Sequence, residues 1–328
     1  MSALGRLVRA REAGLVVMLV ILAVVVGAIQ PRFLTIGTLD IILLAIPLIL
    51  VAAMGQMMVI VARHVDLSIG SILGFAAIAV GMMFRDIPEM PLWLGFILAI
   101  AIGAGLGLVN GLIIALFRLP AIIVTLGTLS LYRGLIFILS GGRQVDPNHI
   151  PEALIRMAQT SPIGVPWIVI IAFLTALLAY IFLRHMRLGR EIYAAGSNPD
   201  AARLRGIRVN RVTLVVFSLS GAMAGLAGLM YAARFGYVNP GITGVGFELT
   251  VIAAVVIGGV SINGGIGTVP GVVLGVLLLG AVSVALPILG ISGFWQDAIY
   301  GAIIVIALIV DGSVRAGGLV RLVTGRGG

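Results

Sequence analysis

The sequence lacks cysteine and lysine, and only 10% of its residues are charged. Without cysteine the chain has no disulfide, no thiolate nucleophile and no cysteine-ligated zinc. All 21 basic residues are arginines, which excludes Schiff-base chemistry and the lysine that a Walker A loop places on a nucleotide's phosphates. If ATP drives any process here, the ATPase must be another polypeptide.

The scarcity of charge accompanies 61% hydrophobic residues and a mean hydropathy of +1.23. Soluble proteins carry roughly 25% charged residues, so this composition indicates a membrane protein. The formal charge of +9 is compatible with nucleic-acid binding. However, the arginines lie in short runs between apolar segments, and orientation in a membrane explains that pattern better.

Ten apolar segments predict an all-α, polytopic membrane protein, because about 20 apolar residues cross a bilayer core as a helix. A transmembrane domain is expected over residues 14–311, between a basic N-terminus (1–13) and a basic tail (312–328). The predicted segments are 14–30, 39–62, 67–84, 92–117, 120–140, 164–183, 212–235, 248–262, 267–287 and 296–311.

The arginines also predict the orientation. With the N-terminus inside, fifteen arginines fall in cytoplasmic segments and five in outer loops, as the positive-inside rule requires. Both termini and the long loop 184–211 are then cytoplasmic.

Two glycine-rich breaks interrupt the hydrophobic pattern, at Val59–Gly74 and Val255–Gly271. An offset of 197 aligns several identical residues and pairs Asp66 with Asn263. Internal repeats and broken helices are typical of transporters. Two breaks that converged by composition alone are the alternative.

The polar residues at these breaks and within the spans are candidates for a translocation pathway, because an intramembrane carboxylate usually faces a bundle interior or a water-filled path. We select Asp66, Asn110, Glu248 and Asn263. Asp66 has an alternative role as the N-cap of the helix that follows it, and Glu248 as an acidic residue in a first helical turn. The three histidines lie in separate connecting regions, so neither a metal site nor a catalytic constellation is expected.

The loop 184–211 contains the complete signature of a short helix. Asn198 suits the N-cap, Pro199 the first helical position, Asp200 the positive end of the dipole and Gly206 the position after the C-cap. Arg203 lies near its C-terminal end.

A helix of about two turns is unstable alone in water, so this one must pack against a partner. The arginines favour anionic lipid. The small apolar pair Ala201 and Ala202 favours a cleft on a cytoplasmic protein, which is the preferred interpretation.

The sequence closely resembles the permeases of ribose-type ABC importers, which serve pentoses, rhamnose, similar sugars and autoinducer-2. The matching stretches occur in family order and cover most of residues 35–312. They are VDLSIGSILG (65–74), NGLIIALFRLPAIIVTLGTLSLYRGL (110–135), GREIYAAGSNPDAARLRGI (189–207), GFELTVIAAVVIGGVSINGGIGTVPG (246–271) and GFWQDAIYGAIIVIALIVDG (293–312). LPAIIVTLGTLSLYRG and FSLSGAMAGLAG look most like the rhamnose and autoinducer-2 permeases.

The resemblance implies an importer without its own ATPase site. Two permease subunits, identical or paralogous, would pair in the membrane, bind two cytoplasmic ABC ATPase subunits that hold ATP and Mg, and receive substrate from a periplasmic sugar-binding protein. The short helix would be the coupling helix in an alternating-access cycle. The alternative is an ion-coupled secondary transporter of a small polar solute. The expected coupling residues are Gly196, Asn198, Pro199, Asp200, Ala201, Ala202, Arg203 and Gly206.

Overall fold

The computed structural model describes residues 3–159 and 164–315, so most of the predicted basic tail, with Arg321 and Arg326, lies outside the described residues. Within these ranges the chain forms α-helices, two short 3-10 helices and one isolated antiparallel bridge, between Val145 and Val238. The all-α prediction is confirmed. The helices are α1 Ala3–Ile29, α2 Ile36–Val61, α3 Ile69–Asp86, α4 Leu92–Phe117, α5 Ala121–Ser140, α6 Glu152–Arg156, α7 Trp167–His185, α8 Arg187–Ser197, α9 Pro199–Leu204, α10 Val209–Phe235, α11 Phe247–Ile257, α12 Val269–Ile288 and α13 Trp295–Arg315.

Each of the ten predicted segments corresponds to one of these helices. Among the described residues, eight helices are long and apolar enough to cross a membrane: α1–α5, α7, α10 and α12. The other two predicted segments correspond to α11 and to the apolar part of α13, Trp295–Ile306, which are shorter. The first helix begins at Ala3, so residues 3–13 of the predicted basic N-terminus are helical and continue directly into the first span.

The eighth segment was predicted too long, because 248–262 includes residues that are not helical. α11 ends at Ile257, where Gly258 is followed by Gly259 with φ of +85°. Its 11 residues rise about 16 Å, roughly half of a bilayer core. α11 is therefore a half-helix, and residues 258–268 connect it to α12 as irregular backbone.

Glycines bring α4 and α10 into backbone contact. A Cβ on Gly103 would overlap the carbonyl oxygen of Gly221, and one on Gly107 would overlap that of Phe217. A Cβ on Gly225 would overlap the carbonyl of Ala99. Glycines at this four-residue spacing thus let two membrane helices pack closely.

The helix breaks (62–68 and 258–268) and the long loop 184–211 lie at the same end of the bundle. The N–H of Gly265 donates to the carbonyl of Val61 at 2.8 Å, which joins the connection 258–268 to the end of α2. Asn210, at the start of α10, donates to Ala115 near the end of α4 at 3.3 Å. The arginine distribution predicts that this end is cytoplasmic.

Candidate functional site

Asp66 lies in the connection 62–68 and is fully buried. Its Oδ1 accepts the backbone N–H of Ser68 at 2.9 Å and the hydroxyl of Ser68 at 2.6 Å. The N-cap of α3 is Ser68 itself, and no side chain caps the helix there. The prediction that Asp66 is the N-cap is wrong by two residues: its carboxylate closes an Asx turn that ends where the helix begins.

A buried hydrogen-bonded chain extends from this turn to a neighbouring pair of helices. Asn110 Nδ2 donates to the Ser68 hydroxyl at 2.8 Å, and the hydroxyl of Tyr132 lies 3.0 Å from Asn110 Oδ1 and 3.0 Å from the carbonyl of Leu106. On the other side, the hydroxyl of Ser220 donates to Asp66 Oδ2 at 3.4 Å.

We call Asp66, Ser68, Asn110, Tyr132 and Ser220 the buried polar network; each is at most 2% exposed. The network ties the connection 62–68 to α4, α5 and α10 in the interior of the bundle. A satisfied, closed network positions backbone. The structure therefore brings the candidates Asp66 and Asn110 together, but places neither on an open surface.

The candidate Glu248 lies apart from this network, in the first turn of α11. The chain from the end of α10 folds back into the bundle, and a Cβ on Gly70 would overlap both the Gly244 carbonyl and the Glu248 carboxylate. Gly244 has φ of +75°, which a residue with a side chain rarely adopts. Glu248 is half-buried, and so is Arg133 of α5, whose guanidinium donates to the Thr243 carbonyl at 2.7 Å.

The candidate Asn263 lies in the connection 258–268, at the opposite end of α11 from Glu248. It is half-buried and adjoins Gly264, which packs against Gly196 and Arg63. Asn263 and Asp66, which the offset of 197 pairs, thus both lie in connections at helix breaks, but their side chains lie in different environments.

The short helix of the long loop forms as predicted, as α9. The Asn198 side chain accepts the N–H groups of Asp200 and Ala201 at 3.1 and 3.0 Å. Pro199 is its first residue, and Gly206 has φ of +79°. The C-terminus is closed by two further bonds: Gly206 N–H to the Arg203 carbonyl (2.9 Å) and Ile207 N–H to the Ala202 carbonyl (3.0 Å). This pair of bonds is a Schellman motif.

The sequence reading missed α8, which precedes α9 and attaches it to the bundle. Gly189, Ile192, Ala195 and Gly196 are buried on one face of α8. Their spacing was available in the sequence as an amphipathic pattern, within a segment read only as a loop.

α8 contacts both helix breaks. A Cβ on Gly196 would overlap the Val61 carbonyl, at the first break. The Tyr193 hydroxyl donates to the Gly267 carbonyl at 2.9 Å, at the second. Gly196, expected to contact a partner, is thus buried against its own chain.

The exposed face of α9 also differs in part from expectation. Ala202 is 4% exposed and packs within the chain, whereas Ala201 is exposed. Leu204, which the sequence analysis did not select, is 90% exposed. Ala201 and Leu204 are three residues apart, so they share a face of the helix.

A basic cleft of about 620 Å³ opens beside α9. Its lining includes Arg63, Arg118 and Arg203, together with His64. Arg63 and Arg118 have φ of +70° and +54°, an uncommon conformation for residues other than glycine. Burial lowers the pKa of His64 to about 4, so this histidine is neutral near pH 7 and the positive charge of the cleft comes from the arginines.

A family model described as "Branched-chain amino acid transport system / permease component" matches residues 37–308. The autoinducer 2 import system permease protein LsrC of Salmonella typhi is 35% identical over 305 residues, covering 93% of this chain and 86% of that protein. LsrC of Enterobacter sp. (strain 638) is 36% identical over 310 residues, covering 94% and 89%. LsrC of Escherichia coli (strain K12 / DH10B) is 35% identical over 308 residues, covering 93% and 88%. No solved structure matches the chain.

Proposed function

The chain belongs to the branched-chain amino acid transport system / permease component family, and from that membership we propose that it is the membrane-spanning permease subunit of an ATP-driven importer in a bacterial inner membrane. Separate ABC ATPase subunits bind ATP and Mg, and a periplasmic binding protein delivers the substrate. The absence of lysine from the sequence supports an ATPase on another chain, because a Walker A loop requires one.

The proposed substrate is a small hydroxyl-rich solute: rhamnose, a similar sugar, or autoinducer-2. The relatives named above carry autoinducer-2 import in their names. The two motifs LPAIIVTLGTLSLYRG and FSLSGAMAGLAG point the same way. Translocation proceeds by alternating access, with ATP-driven closure of the ATPase subunits moving the permease pair.

The observation that carries the proposal is the geometry of α9. This two-turn helix is capped at both ends, is held to the bundle through α8, and exposes Leu204 and Ala201 on one face. Such a helix offers a cytoplasmic partner an apolar contact surface in a fixed position. We assign α9 as the coupling helix and the ATPase as that partner, with Asn198, Pro199 and Gly206 shaping the helix. Asp200 and Arg203 pair across one turn at 2.6 Å.

The test is a pull-down of the tagged full-length chain in mild detergent, followed by ATP-dependent uptake of radiolabelled rhamnose and of autoinducer-2 in proteoliposomes. Leu204→Asp removes an apolar contact worth about 1.5–3 kcal/mol when buried. We therefore expect at least a tenfold loss of ATPase recovery. Ile87→Asp makes the same change at an exposed position of the α3–α4 connection, at the opposite end of the bundle, and should leave recovery unchanged.

Recovery of a P-loop ATPase with the unmodified chain and its loss with Leu204→Asp support the proposal. Equal recovery with both variants would reject α9 as the coupling helix. Uptake that needs no ATPase and persists after ATP depletion would reject the importer assignment and favour an ion-coupled transporter.

A further inference from the structure

The basic cleft beside α9 contains two arginines whose guanidinium groups are unpaired among the described residues. Arg63 follows the end of α2, Arg118 is the C-cap of α4, and both are exposed and line the cleft. Arg203, in the same lining, is instead paired with Asp200 at 2.6 Å. The described lining includes neither aspartate nor glutamate. The cleft therefore holds two positive charges that the described part of the chain does not neutralise.

The backbone at both positions suits glycine better than arginine. Arg63 and Arg118 have φ of +70° and +54°, a left-handed conformation that is unfavourable for any residue with a Cβ. At the ends of α5 and α10 the same conformation is taken by Gly141 and Gly236. The dipole of a helix C-terminus favours a cation, but it does not require two of them to line one cleft. Arginine in a strained conformation points to a function of its side chain.

The lengths of α2 and α4 place the cleft at the level of lipid headgroups. Each helix has 26 residues and therefore rises about 39 Å. The hydrocarbon core of a bilayer is about 30 Å thick, and the bilayer with its headgroups is about 40–45 Å thick. A helix of this length that spans the core ends in the headgroup layer, so an arginine at its C-terminus lies at the depth of the lipid phosphates.

An exposed apolar surface continues from the cleft along the end of α4. Leu119 lines the cleft and is 45% exposed. Its neighbours Leu116 and Phe117 are 70% and 69% exposed. Burial of such side chains against acyl chains is favourable. A cationic cleft thus lies directly beside a surface that suits lipid tails.

We propose that the basic cleft binds the headgroup of an anionic phospholipid, with its phosphate between Arg63 and Arg118. Guanidinium groups bind phosphate oxygens through paired N–H donors. Val209 and Asn210, in the first turn of α10, also line the cleft, and no side chain caps this helix. Its free N–H groups add donors for an anion. The inference does not depend on the proposed importer function.

The net charge of the cleft selects among phospholipids. Two arginines without a carboxylate in the described lining favour a headgroup with a net negative charge over a zwitterionic one. The test is native mass spectrometry of the full-length chain released from detergent micelles. These contain phosphatidylglycerol or phosphatidylethanolamine with the same acyl chains, or inorganic phosphate alone. We expect more phosphatidylglycerol than phosphatidylethanolamine adducts at equal concentrations, and a decline of the former as salt is raised.

Substitutions assign the binding to the two arginines. Arg63→Gln and Arg118→Gln should each weaken phosphatidylglycerol binding about fivefold, the usual contribution of one basic residue at an anionic surface. The double variant Arg63→Gly, Arg118→Gly should weaken it at least tenfold. Because glycine suits both backbone positions, its melting temperature should not fall, which separates lost binding from lost folding. Arg143→Gln is the control: this exposed arginine lies beyond the other end of α5, and its loss should leave binding unchanged.

Three outcomes would overturn the proposal. The first is equal binding of the two lipids, or equal phosphatidylglycerol binding by the parent and the double glycine variant. The second is binding of inorganic phosphate that requires the arginines, without preference for phosphatidylglycerol, which would identify a free anion as the ligand. The third is loss of ATPase recovery from the double variant with lipid binding unchanged, which would assign the arginines to a protein partner.

Discussion

Substitutions at Asp66 distinguish two roles for its carboxylate: a structural acceptor of hydrogen bonds, or a charge that takes part in transport. In Asp66→Ala, the Ser68 N–H and hydroxyl and the Ser220 hydroxyl all lose their acceptor, at 2.9, 2.6 and 3.4 Å. The Ser68 N–H is buried, and an unsatisfied buried donor costs about 1–3 kcal/mol. With the other two bonds, the expected loss of stability is about 3 kcal/mol.

Asp66→Asn preserves the shape and most of the contacts. Its Oδ1 still accepts both bonds from Ser68, and its Nδ2 can donate to the Ser220 hydroxyl in place of the carboxylate oxygen. We expect a loss below about 1 kcal/mol. Ser71→Ala is the matched control. It removes one buried hydroxyl donor, bonded to the Ser68 carbonyl at 2.7 Å, without opening the network.

The assay is the melting temperature of the detergent-solubilised chain, followed by size-exclusion chromatography after heating, since thiol-reactive dyes cannot report on a protein without cysteine. At about 2–4 °C per kcal/mol, Asp66→Ala should melt about 6–12 °C lower, and Asp66→Asn and Ser71→Ala within a few degrees of the parent. Uptake should follow the same order. If Asp66→Asn abolished uptake while retaining the melting temperature, the charge itself would be required and the structural account of the network would be refuted.

Three further substitutions test other contacts, each by the melting temperature. Gly221→Ala places a Cβ against the carbonyl of Gly103 and should lower the free energy of unfolding by about 1–3 kcal/mol. In the control, Gly105→Ala, the added methyl group enters open space and should cost little stability. Equal effects of the two substitutions would contradict backbone contact between α4 and α10. Gln56→Met should stabilise the folded chain by about 1–3 kcal/mol, because both polar atoms of the Gln56 side chain are buried without a partner among the described residues. A loss of stability would instead indicate that Gln56 has a hydrogen-bond partner. Burial lowers the pKa of His64 from 6.5 to about 4, so the folded state, in which His64 is neutral, loses stability as pH falls from 6.5 towards 4. His64→Gln should flatten the dependence of the melting temperature on pH in that range. An unchanged pH dependence would contradict the burial of His64.

Local signals in the sequence predicted the position and both ends of α9. Asn198 and Gly206 act through bonds to residues only two or three positions away, and Pro199 acts through its own fixed φ. Capping is therefore readable without knowledge of the tertiary fold. The ten helical segments were predicted for a similar reason, because hydropathy is a property of each segment by itself.

Local sequence signals could not identify the partners of the buried polar network, because these residues are distant from one another in the sequence. Asn110 and Ser220 are 42 and 154 positions from the residues that they contact in the network. The end of α11 was missed because Gly258 and Ser261 do not interrupt the hydropathy of 248–262, although the backbone turns there. Arg133 lies within the predicted span 120–140, and only the fold places it beside Thr243 in the connection between α10 and α11.

The attachment of α8 has a mechanical consequence. Gly196 abuts the carbonyl of Val61 without an intervening side chain, and Tyr193 is tied to Gly267. Close-packed contacts transmit strain rather than absorb it. A force applied at Leu204 would therefore be transmitted both to the end of α2 and to the connection 258–268 that precedes α12. The connection 62–68 follows directly on α2, so the same contacts join α9 to the Asx turn of Asp66.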